Sequence, residues 1–133
     1  MDLIAHFQQA RNVVALKPGQ VLFSEGEPGA NMYVLVSGTA SVSLGNEVLE
    51  AAQPGALLGE MALVDSSARS ATVIAGSGCR VISIDRPQFE VLVRESPEFA
   101  SHVMTVMAQR LRRMNERLKE ALGELSVRGK RPK

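Results

Sequence analysis

The polar and apolar positions along the chain change their period twice. Residues 2–14 carry apolar side chains at helical spacing, which predicts a short N-terminal helix that ends before the Lys-Pro-Gly-Gln turn at 17–20. Short apolar or alternating runs separated by turns then fill residues 21–85 and predict strands. From residue 86 to 126 the apolar positions return to helical spacing. The apolar positions of the first helix are Leu3, Ile4, Phe7 and Ala10.

The strand region is a series of short runs, most of them bounded by glycine-containing turns. Apolar Ala40, Val42 and Leu44 alternate with serines, which is the period of a half-buried strand. Gly45 and Asn46 then separate this run from the next one and predict a hairpin. Many short strands at regular intervals predict a closed or rolled antiparallel sheet. The predicted strands are 21–23, 32–36, 40–44, 47–51, 70–75 and 79–85.

Two helices are predicted after the last strand. Pro87 suits the first turn of one helix, and Ser96 suits the N-cap of a longer helix of about seven turns. Apolar residues recur along the longer helix in alternating three- and four-residue steps, a heptad pattern. This stripe either packs onto the open face of the sheet or forms the seam of a homodimer, and one helix has room for both. Its positions are Met104, Met107, Leu111, Met114, Leu118, Ala121 and Leu125.

Composition places the chain among ordinary globular domains. With 133 residues, 45% of them hydrophobic, it is long enough to bury a core of its own. A net charge of +1 gives no general electrostatic basis for binding nucleic acid. The apolar runs are too short to span a bilayer, the N-terminus lacks a signal-peptide pattern, and Cys79 has no second cysteine to pair with. We therefore expect a cytoplasmic protein without a membrane partner.

The segment 58–73 gathers groups that suit a phosphorylated sugar. Gly59 precedes Glu60 at a predicted helical turn, where a glycine lets a ligand approach the backbone closely. Arg69 follows nine residues after Glu60 and supplies a charged, planar fork that matches two phosphate oxygens. The Glu60 carboxylate only accepts hydrogen bonds, which suits a sugar hydroxyl. A surface salt bridge between these two side chains is the alternative, and the flanking sequence favours the ligand site.

This segment closely resembles the phosphate-binding cassette of cyclic nucleotide-binding domains. Such domains occur in catabolite-activator-type transcription factors, kinase regulatory subunits and nucleotide-gated channels. Blocks at 23–29, 32–38 and 86–89 match the family's early strands and its entry into the C-terminal helices, so the resemblance covers nearly the whole chain. It implies a mainly β fold with flanking helices. The core of that fold is an antiparallel β-roll, similar to a small jelly-roll barrel, with a short N-terminal helix and C-terminal helices.

The resemblance also implies which residues hold the ligand, cAMP or cGMP. Glu60 is expected on the ribose 2′-hydroxyl and Arg69 on the cyclic phosphate, beside backbone N–H groups from Gly59 to Met61. The Ser70 hydroxyl is compatible with either nucleotide, so the choice between them stays open. The implied ligand-binding residues are Gly59, Glu60, Met61, Ala62, Arg69, Ser70 and Ala71, and the base-proximal ones are Leu58, Thr72, Arg110, Met114 and Asn115.

Some of the base-proximal positions have simpler interpretations. Thr72 is also an ordinary strand residue, and Arg110 is also a solvated charge on a helix. Met114 and Asn115 occupy positions where the catabolite-activator protein carries two hydroxyl residues that contact adenine. Because Met114 offers only apolar contact, this departure leaves selectivity for adenine open.

The expected organisation is a single domain over residues 1–133. It comprises an N-terminal helix and lead-in (1–20), the β-roll (21–85), the C-terminal helices (86–126) and a basic tail (127–133). No nucleophile, base and orienting residue form a catalytic constellation, which predicts a binding domain rather than an enzyme. His6 and His102 lack carboxylate or cysteine company, so no metal site is expected.

As a sensor, the chain is expected to bind the nucleotide unchanged and to signal through its C-terminal helix. That helix is also the expected homodimer contact, and a downstream protein partner is a further possibility. No direct contact with nucleic acid is expected. Two alternatives stay open: a structural or interaction module that has lost its ligand, and the ligand-binding fragment of a larger transcription regulator or channel.

Overall fold

A computed structural model of the chain describes residues 12–65 and 68–128, without the side chains of 64–65 and 125–128. Within those ranges, strands fill most of the first two thirds and helices fill the last third. The strands are β1 (Val13–Leu16), β2 (Val21–Phe23), β3 (Asn31–Ser37), β4 (Ala40–Leu44), β5 (Glu47–Ala52), β6 (Leu57–Leu58), β7 (Thr72–Ala75) and β8 (Cys79–Asp85). The helices are α1 (Met61–Asp65), α2 (Arg86–Glu95) and α3 (Pro97–Arg128).

The eight described strands form two antiparallel four-stranded sheets. One has the order β1-β8-β3-β6 and the other the order β2-β7-β4-β5. The mainly β fold with flanking helices is confirmed, and the described strands roll into two sheets rather than closing into one barrel. Apolar side chains from both sheets form one buried cluster. Its members are Leu16, Phe23, Leu35, Ala40, Ala52, Leu58, Val73, Ala75, Cys79 and Val81.

The N-terminal helix prediction is wrong at its C-terminal end. Val13 and Val14 belong to β1, which pairs with β8 in the register Val13↔Ile82 and Leu16↔Cys79. A β-branched pair beside an accessible strand partner favours the sheet over a helical continuation. The roll therefore begins at Val13 rather than at residue 21, and the rest of the predicted helix (2–11) lies outside the described residues.

One predicted strand begins later in the structure, and one short strand was not predicted. The strand expected at 70–75 begins at Thr72, because the Arg69 backbone bonds to the β2–β3 loop instead of entering the ladder. The two-residue strand β6 was not predicted, and it pairs with Tyr33 and Val34 of β3. The other five predicted strands match closely, and β8 begins and ends at the predicted residues.

The starts of the C-terminal helices follow the expected capping chemistry. Asp85 caps α2 by accepting from the Gln88 N–H at 2.9 Å, and the Gln88 side chain accepts from the Asp85 N–H at 3.0 Å. The Ser96 hydroxyl accepts from the Phe99 N–H at 3.3 Å, which confirms its capping role. Helix α3 runs for 32 residues, longer than about seven turns, and includes Arg128 of the predicted tail. Residues 129–133 lie outside the described ranges.

The chain contains two compact units, Met1–Ala100 and Ser101–Lys133. The first holds both sheets, α1, α2 and the first turn of α3. The second is the remainder of α3, where four heptad positions are exposed to solvent: Met104 (64%), Leu111 (62%), Met114 (44%) and Leu118 (56%).

Candidate functional site

The predicted cassette, residues 58–73, begins with a sharp turn between β6 and α1. Gly59 lies at that turn with a φ of +73°, a left-handed conformation that L side chains rarely adopt. Its carbonyl accepts from the Ala62 N–H at 3.3 Å, and the Glu60 carbonyl accepts from the Leu63 N–H at 3.1 Å. The helical turn expected after Gly59 and Glu60 is therefore confirmed.

Glu60 and Arg69 are the two charged side chains that are buried among the residues whose burial the structure describes. Glu60 is 3% exposed and Arg69 is 7% exposed. Charged side chains are almost never fully buried unless they are paired, so their burial together in one segment needs a reason. This burial argues against a surface salt bridge and points to a site.

The Arg69 guanidinium lies between an aromatic face and a backbone carbonyl. Its Cζ is 4.1 Å from the ring centroid of Phe23 and 5.8 Å from that of Tyr33. Nη1 donates to the Gly59 carbonyl at 3.2 Å, whereas the buried Nε–H has no hydrogen-bond partner in the described part of the chain. The Phe23 ring and the Gly59 carbonyl thus hold the guanidinium in place, and its Nε–H is left as an unused donor.

Burial lowers the pKa of the Arg69 guanidinium, and Tyr33 and Glu27 act in the opposite direction. Arginine titrates so far above neutrality that the side chain keeps its positive charge at physiological pH. The site therefore presents a fixed cation in a poorly hydrated environment, where it attracts an anion more strongly than at the surface.

The loop between β2 and β3 also holds Arg69 in place. The Arg69 N–H donates to the Glu27 carbonyl at 2.8 Å, and the Gly26 N–H donates to the Arg69 carbonyl at 2.8 Å. Gly29 lies so close that a Cβ built on it would be 2.5 Å from Arg69 Nε. The side chain has room in this position only because residue 29 is a glycine.

Thr72 has a structural partner at the edge of the cassette. Its Oγ1 accepts from the Glu25 N–H at 2.9 Å and so ties the same loop to β7. This contact favours the interpretation of Thr72 as a strand residue that supports the site.

The other predicted cassette residues differ in accessibility. Leu58 is 1% exposed and belongs to the apolar cluster, where it pairs with Tyr33. Ala62 is buried, Ala71 is half-buried, and Ser70 and Met61 are exposed. Their contact with a ligand stays a prediction. So does that of Arg110, Met114 and Asn115, which lie on α3 in the second compact unit.

Phe23, Tyr33 and Gly29 are site residues that the sequence did not reveal. The blocks that contain them were recognised, but no role at the site was assigned to them. The sequence nevertheless contains a signal for these roles, because a buried arginine needs a flat apolar surface and a nearby carbonyl. Aromatic residues and glycines in neighbouring strand blocks are candidates for both.

Other features of the described residues add no second chemistry. No group of three His, Cys, Asp or Glu side chains that could hold a metal occurs among them, and no described helix is long and apolar enough to cross a membrane. Burial raises the pKa of the Cys79 thiol, which keeps it protonated at neutral pH. A cavity of about 390 Å³ has no cassette residue in its wall; it is lined by Asn12, Ile82, Ile84, Pro87, Gln88, Val91 and Leu92.

Comparison with known proteins gives a consistent set of matches. Residues 13–96 match the family described as the cyclic nucleotide-binding domain. A CRP-like cAMP-activated global transcriptional regulator of Mycobacterium tuberculosis is 29% identical over 109 residues, covering 78% of this chain and 49% of the relative. A cyclic nucleotide-gated potassium channel of Mesorhizobium japonicum is 41% identical over 92 residues, covering 69% of this chain and 24% of the relative.

A solved structure is similar over most of the chain. The catabolite activator protein of Thermus thermophilus superposes with a TM-score of 0.75 at 27% identity, covering 90% of this chain and 57% of that one. The chain spans less than half the length of the two curated relatives that it matches.

Proposed function

Because the chain belongs to the cyclic nucleotide-binding domain family, we propose that its cassette binds a cyclic nucleotide and does not transform it. The observation that carries this proposal is the Arg69 guanidinium, buried and charged, with a donor that has no partner. An unsatisfied buried donor costs about 1–3 kcal/mol, and a phosphate oxygen on Nε would recover that energy. The donor set thus fits a singly charged cyclic phosphate.

The assignment of the sugar contact rests on Glu60. Its carboxylate is buried at the start of α1, on the segment that turns at Gly59 and also supplies an acceptor for Arg69. A carboxylate repels phosphate oxygens and accepts from hydroxyl groups, so it suits the ribose 2′-hydroxyl beside the cation that takes the phosphate. In this proposal Arg69 contacts the phosphate and Glu60 contacts the ribose of the same nucleotide.

We propose cAMP as the ligand, with cGMP as the second candidate. The similar regulator of Mycobacterium tuberculosis is described as cAMP-activated, which supports the adenine nucleotide. Ser70 directly follows Arg69, and its side chain is exposed. Because a hydroxyl at this position can also contact a guanine amino group, Ser70 supports cGMP as the second candidate.

Calorimetric titration with cAMP, cGMP and 5′-AMP tests the proposal. We expect micromolar affinity for a cyclic nucleotide, about −8 kcal/mol, and much weaker binding of the linear 5′-AMP. Chromatography of the recovered nucleotide should show it unchanged, as expected of a binding domain without catalytic groups. Absence of binding to both cyclic nucleotides would favour the alternative, an interaction module of the same fold that has lost its ligand.

The regulatory part of the proposal is a change in the C-terminal helices on binding. A ligand shifts a two-state equilibrium only if it binds one state more tightly than the other. We propose that nucleotide in the cassette favours one arrangement of α2 and α3. Amide hydrogen exchange in these helices, with and without cAMP, measures that shift.

We further propose that a second copy of this chain covers the exposed stripe on α3. Four large apolar side chains at heptad spacing are between 44% and 64% exposed. In a coiled coil, such a stripe is buried against the same stripe of a second helix. At tens of micromolar protein we expect a dimer in sedimentation analysis. Leu111→Glu should weaken dimerisation by about tenfold or more, because it places charge in the seam.

Gln109→Glu is the matched control for the dimer. Residue 109 is exposed on the same helix but lies off the heptad stripe, so the same added charge should leave the dimer unchanged. A wild-type chain that sediments as a monomer both with and without cAMP would contradict the dimer proposal and leave nucleotide binding unaffected.

A further inference from the structure

Arg86 forms a direct bond between the cassette helix and the first C-terminal helix. It is the first residue of α2, and its Nη2 donates to the Leu63 carbonyl of α1 at 2.8 Å, across 23 residues of sequence. Neither residue belongs to the candidate ligand contacts. The bond therefore joins the cassette to α2 without itself being a part of the phosphate site.

On the cassette side, the bond engages a carbonyl at the end of a short helix. The last carbonyls of any helix have no partner within the helix, and α1 has only five residues. The Leu63 side chain is 2% exposed, and its N–H donates to the Glu60 carbonyl at 3.1 Å. One turn of helix backbone thus joins Glu60 to Leu63.

On the other side, the start of α2 has little freedom to turn. The reciprocal bonds between Asp85 and Gln88 fix the backbone that carries Arg86. A charge-assisted bond from this anchored position is roughly twice as strong as a neutral one. The Arg86–Glu90 contact, at 3.7 Å between side chains that are 47% and 60% exposed, contributes little by comparison.

From α2 the contacts continue into the first turn of α3. The rings of Phe89 and Phe99 meet edge to face, with centroids 6.0 Å apart. The Ser96 N–H donates to the Leu92 carbonyl at 2.8 Å, and the Ser96 carbonyl accepts from the Phe99 N–H at 3.0 Å. Hydrogen bonds join Glu60 to Leu63 and Leu63 to Arg86, α2 carries both Arg86 and Phe89, and Phe89 contacts Phe99; all of these residues lie within the first compact unit.

We propose that Arg86 is the positioning residue that couples nucleotide binding in the cassette to the arrangement of α2. The inference rests on the proposed function, because it assumes that the cassette binds a cyclic nucleotide. When the ligand fixes Glu60 and Arg69, α1 takes one position and the Leu63 carbonyl holds the Arg86 side chain, and with it the first turn of α2. Without the bond, the cassette still binds nucleotide but α2 does not respond.

The test compares Arg86→Met with two matched variants. Arg86→Met keeps the aliphatic stem and removes every donor. Glu90→Gln removes the ion pair but leaves the bond to Leu63, and Arg94→Met makes the same chemical change on the last turn of the same helix. Each variant is titrated with cAMP by calorimetry, and amide exchange of α1 and α2 is followed with and without cAMP.

In the wild type and both controls we expect cAMP to slow exchange in α1 and α2 by about fivefold or more. In Arg86→Met, affinity should stay within about threefold and α1 should still be protected, while protection of α2 disappears. Equal ligand-dependent protection of α2 in Arg86→Met and wild type would overturn the inference. Arg86→Gln is measured in parallel in case the methionine variant does not fold, and the same expected and contradicting results apply to it.

The experiment separates this inference from the proposed function. If the wild type does not bind cAMP or cGMP, the proposed function fails. If the wild type binds nucleotide but α2 shows no ligand-dependent protection, nucleotide binding stands, and the proposed change in α2 fails together with the coupling role of Arg86. If α2 is protected equally in the wild type and in Arg86→Met, only the coupling role of Arg86 fails.

Discussion

Replacing Arg69 with alanine should lower the affinity for cAMP by at least about 100-fold while the chain still folds. The variant loses a cation and the unused Nε–H donor, and each charge-assisted hydrogen bond is worth about 1.5–3 kcal/mol. Two such bonds to one phosphate correspond to more than two powers of ten in Kd, since about 1.4 kcal/mol is tenfold. A micromolar Kd would therefore rise to about 100 μM or more.

The same substitution has a limited effect on stability. It removes the bond to the Gly59 carbonyl and the contact with the Phe23 ring, which are worth about 1 kcal/mol each. It also relieves the burial of a charge, which offsets part of that loss. We expect the melting temperature to fall by several degrees, with far-ultraviolet circular dichroism unchanged at 25 °C.

Two further variants make the Arg69 result specific. Arg69→Lys keeps the charge but lacks the planar fork, so its affinity should lie between those of wild type and alanine. Arg80→Ala removes an exposed arginine from β8 and should bind cAMP as the wild type does. Unchanged affinity in Arg69→Ala would show that the nucleotide, if it binds, is held elsewhere.

A single methyl group on Gly29 should weaken cAMP binding by about tenfold or more. The Cβ of an alanine would lie 2.5 Å from Arg69 Nε and 2.6 Å from Cζ, so the guanidinium must leave its place over Phe23. Gly29 does not have a positive φ, so the backbone accepts alanine without strain. The arginine is a flexible side chain, and its displacement affects binding more than folding.

A double-mutant cycle distinguishes action through Arg69 from a general distortion. If Gly29 acts only by positioning the guanidinium, Gly29→Ala combined with Arg69→Ala binds no more weakly than Arg69→Ala alone. Gly78→Ala is the control, because its Cβ would meet nothing nearer than the Leu16 carbonyl oxygen at 4.0 Å. Additive losses in the double variant, or wild-type affinity in Gly29→Ala, would contradict the positioning role.

The parts of the fold that the sequence predicted are those set by local patterns. Strand β8 coincides with a run that begins after Gly78 and ends just before the helix that Pro87 indicates, and both ends of β8 were predicted to the residue. The hairpin at Gly45 and Asn46 was likewise predicted from turn chemistry. Both features depend on neighbours within a few residues.

The parts that the sequence did not reveal depend on distant partners. Val13 and Val14 lie in a strand because β8, more than 60 residues later, offers them a partner. The stacking of Phe23 on Arg69 joins residues 46 positions apart, and no spacing rule predicts it. The cassette motif identified which arginine matters, whereas only the three-dimensional arrangement identified what holds it in place.

Strand β1 protects its neighbouring strand in the sheet from pairing with other molecules. It covers one edge of β8, and its Leu16 lies opposite Cys79. A shortened chain that began after Leu16 would leave that edge of β8 without its partner strand, open to pairing with other molecules. It would also uncover the thiol, so that oxidation could join two chains by a disulfide. Work on fragments of this domain should therefore retain residues 12–16, or precipitation and covalent dimers will obscure any measurement of nucleotide binding.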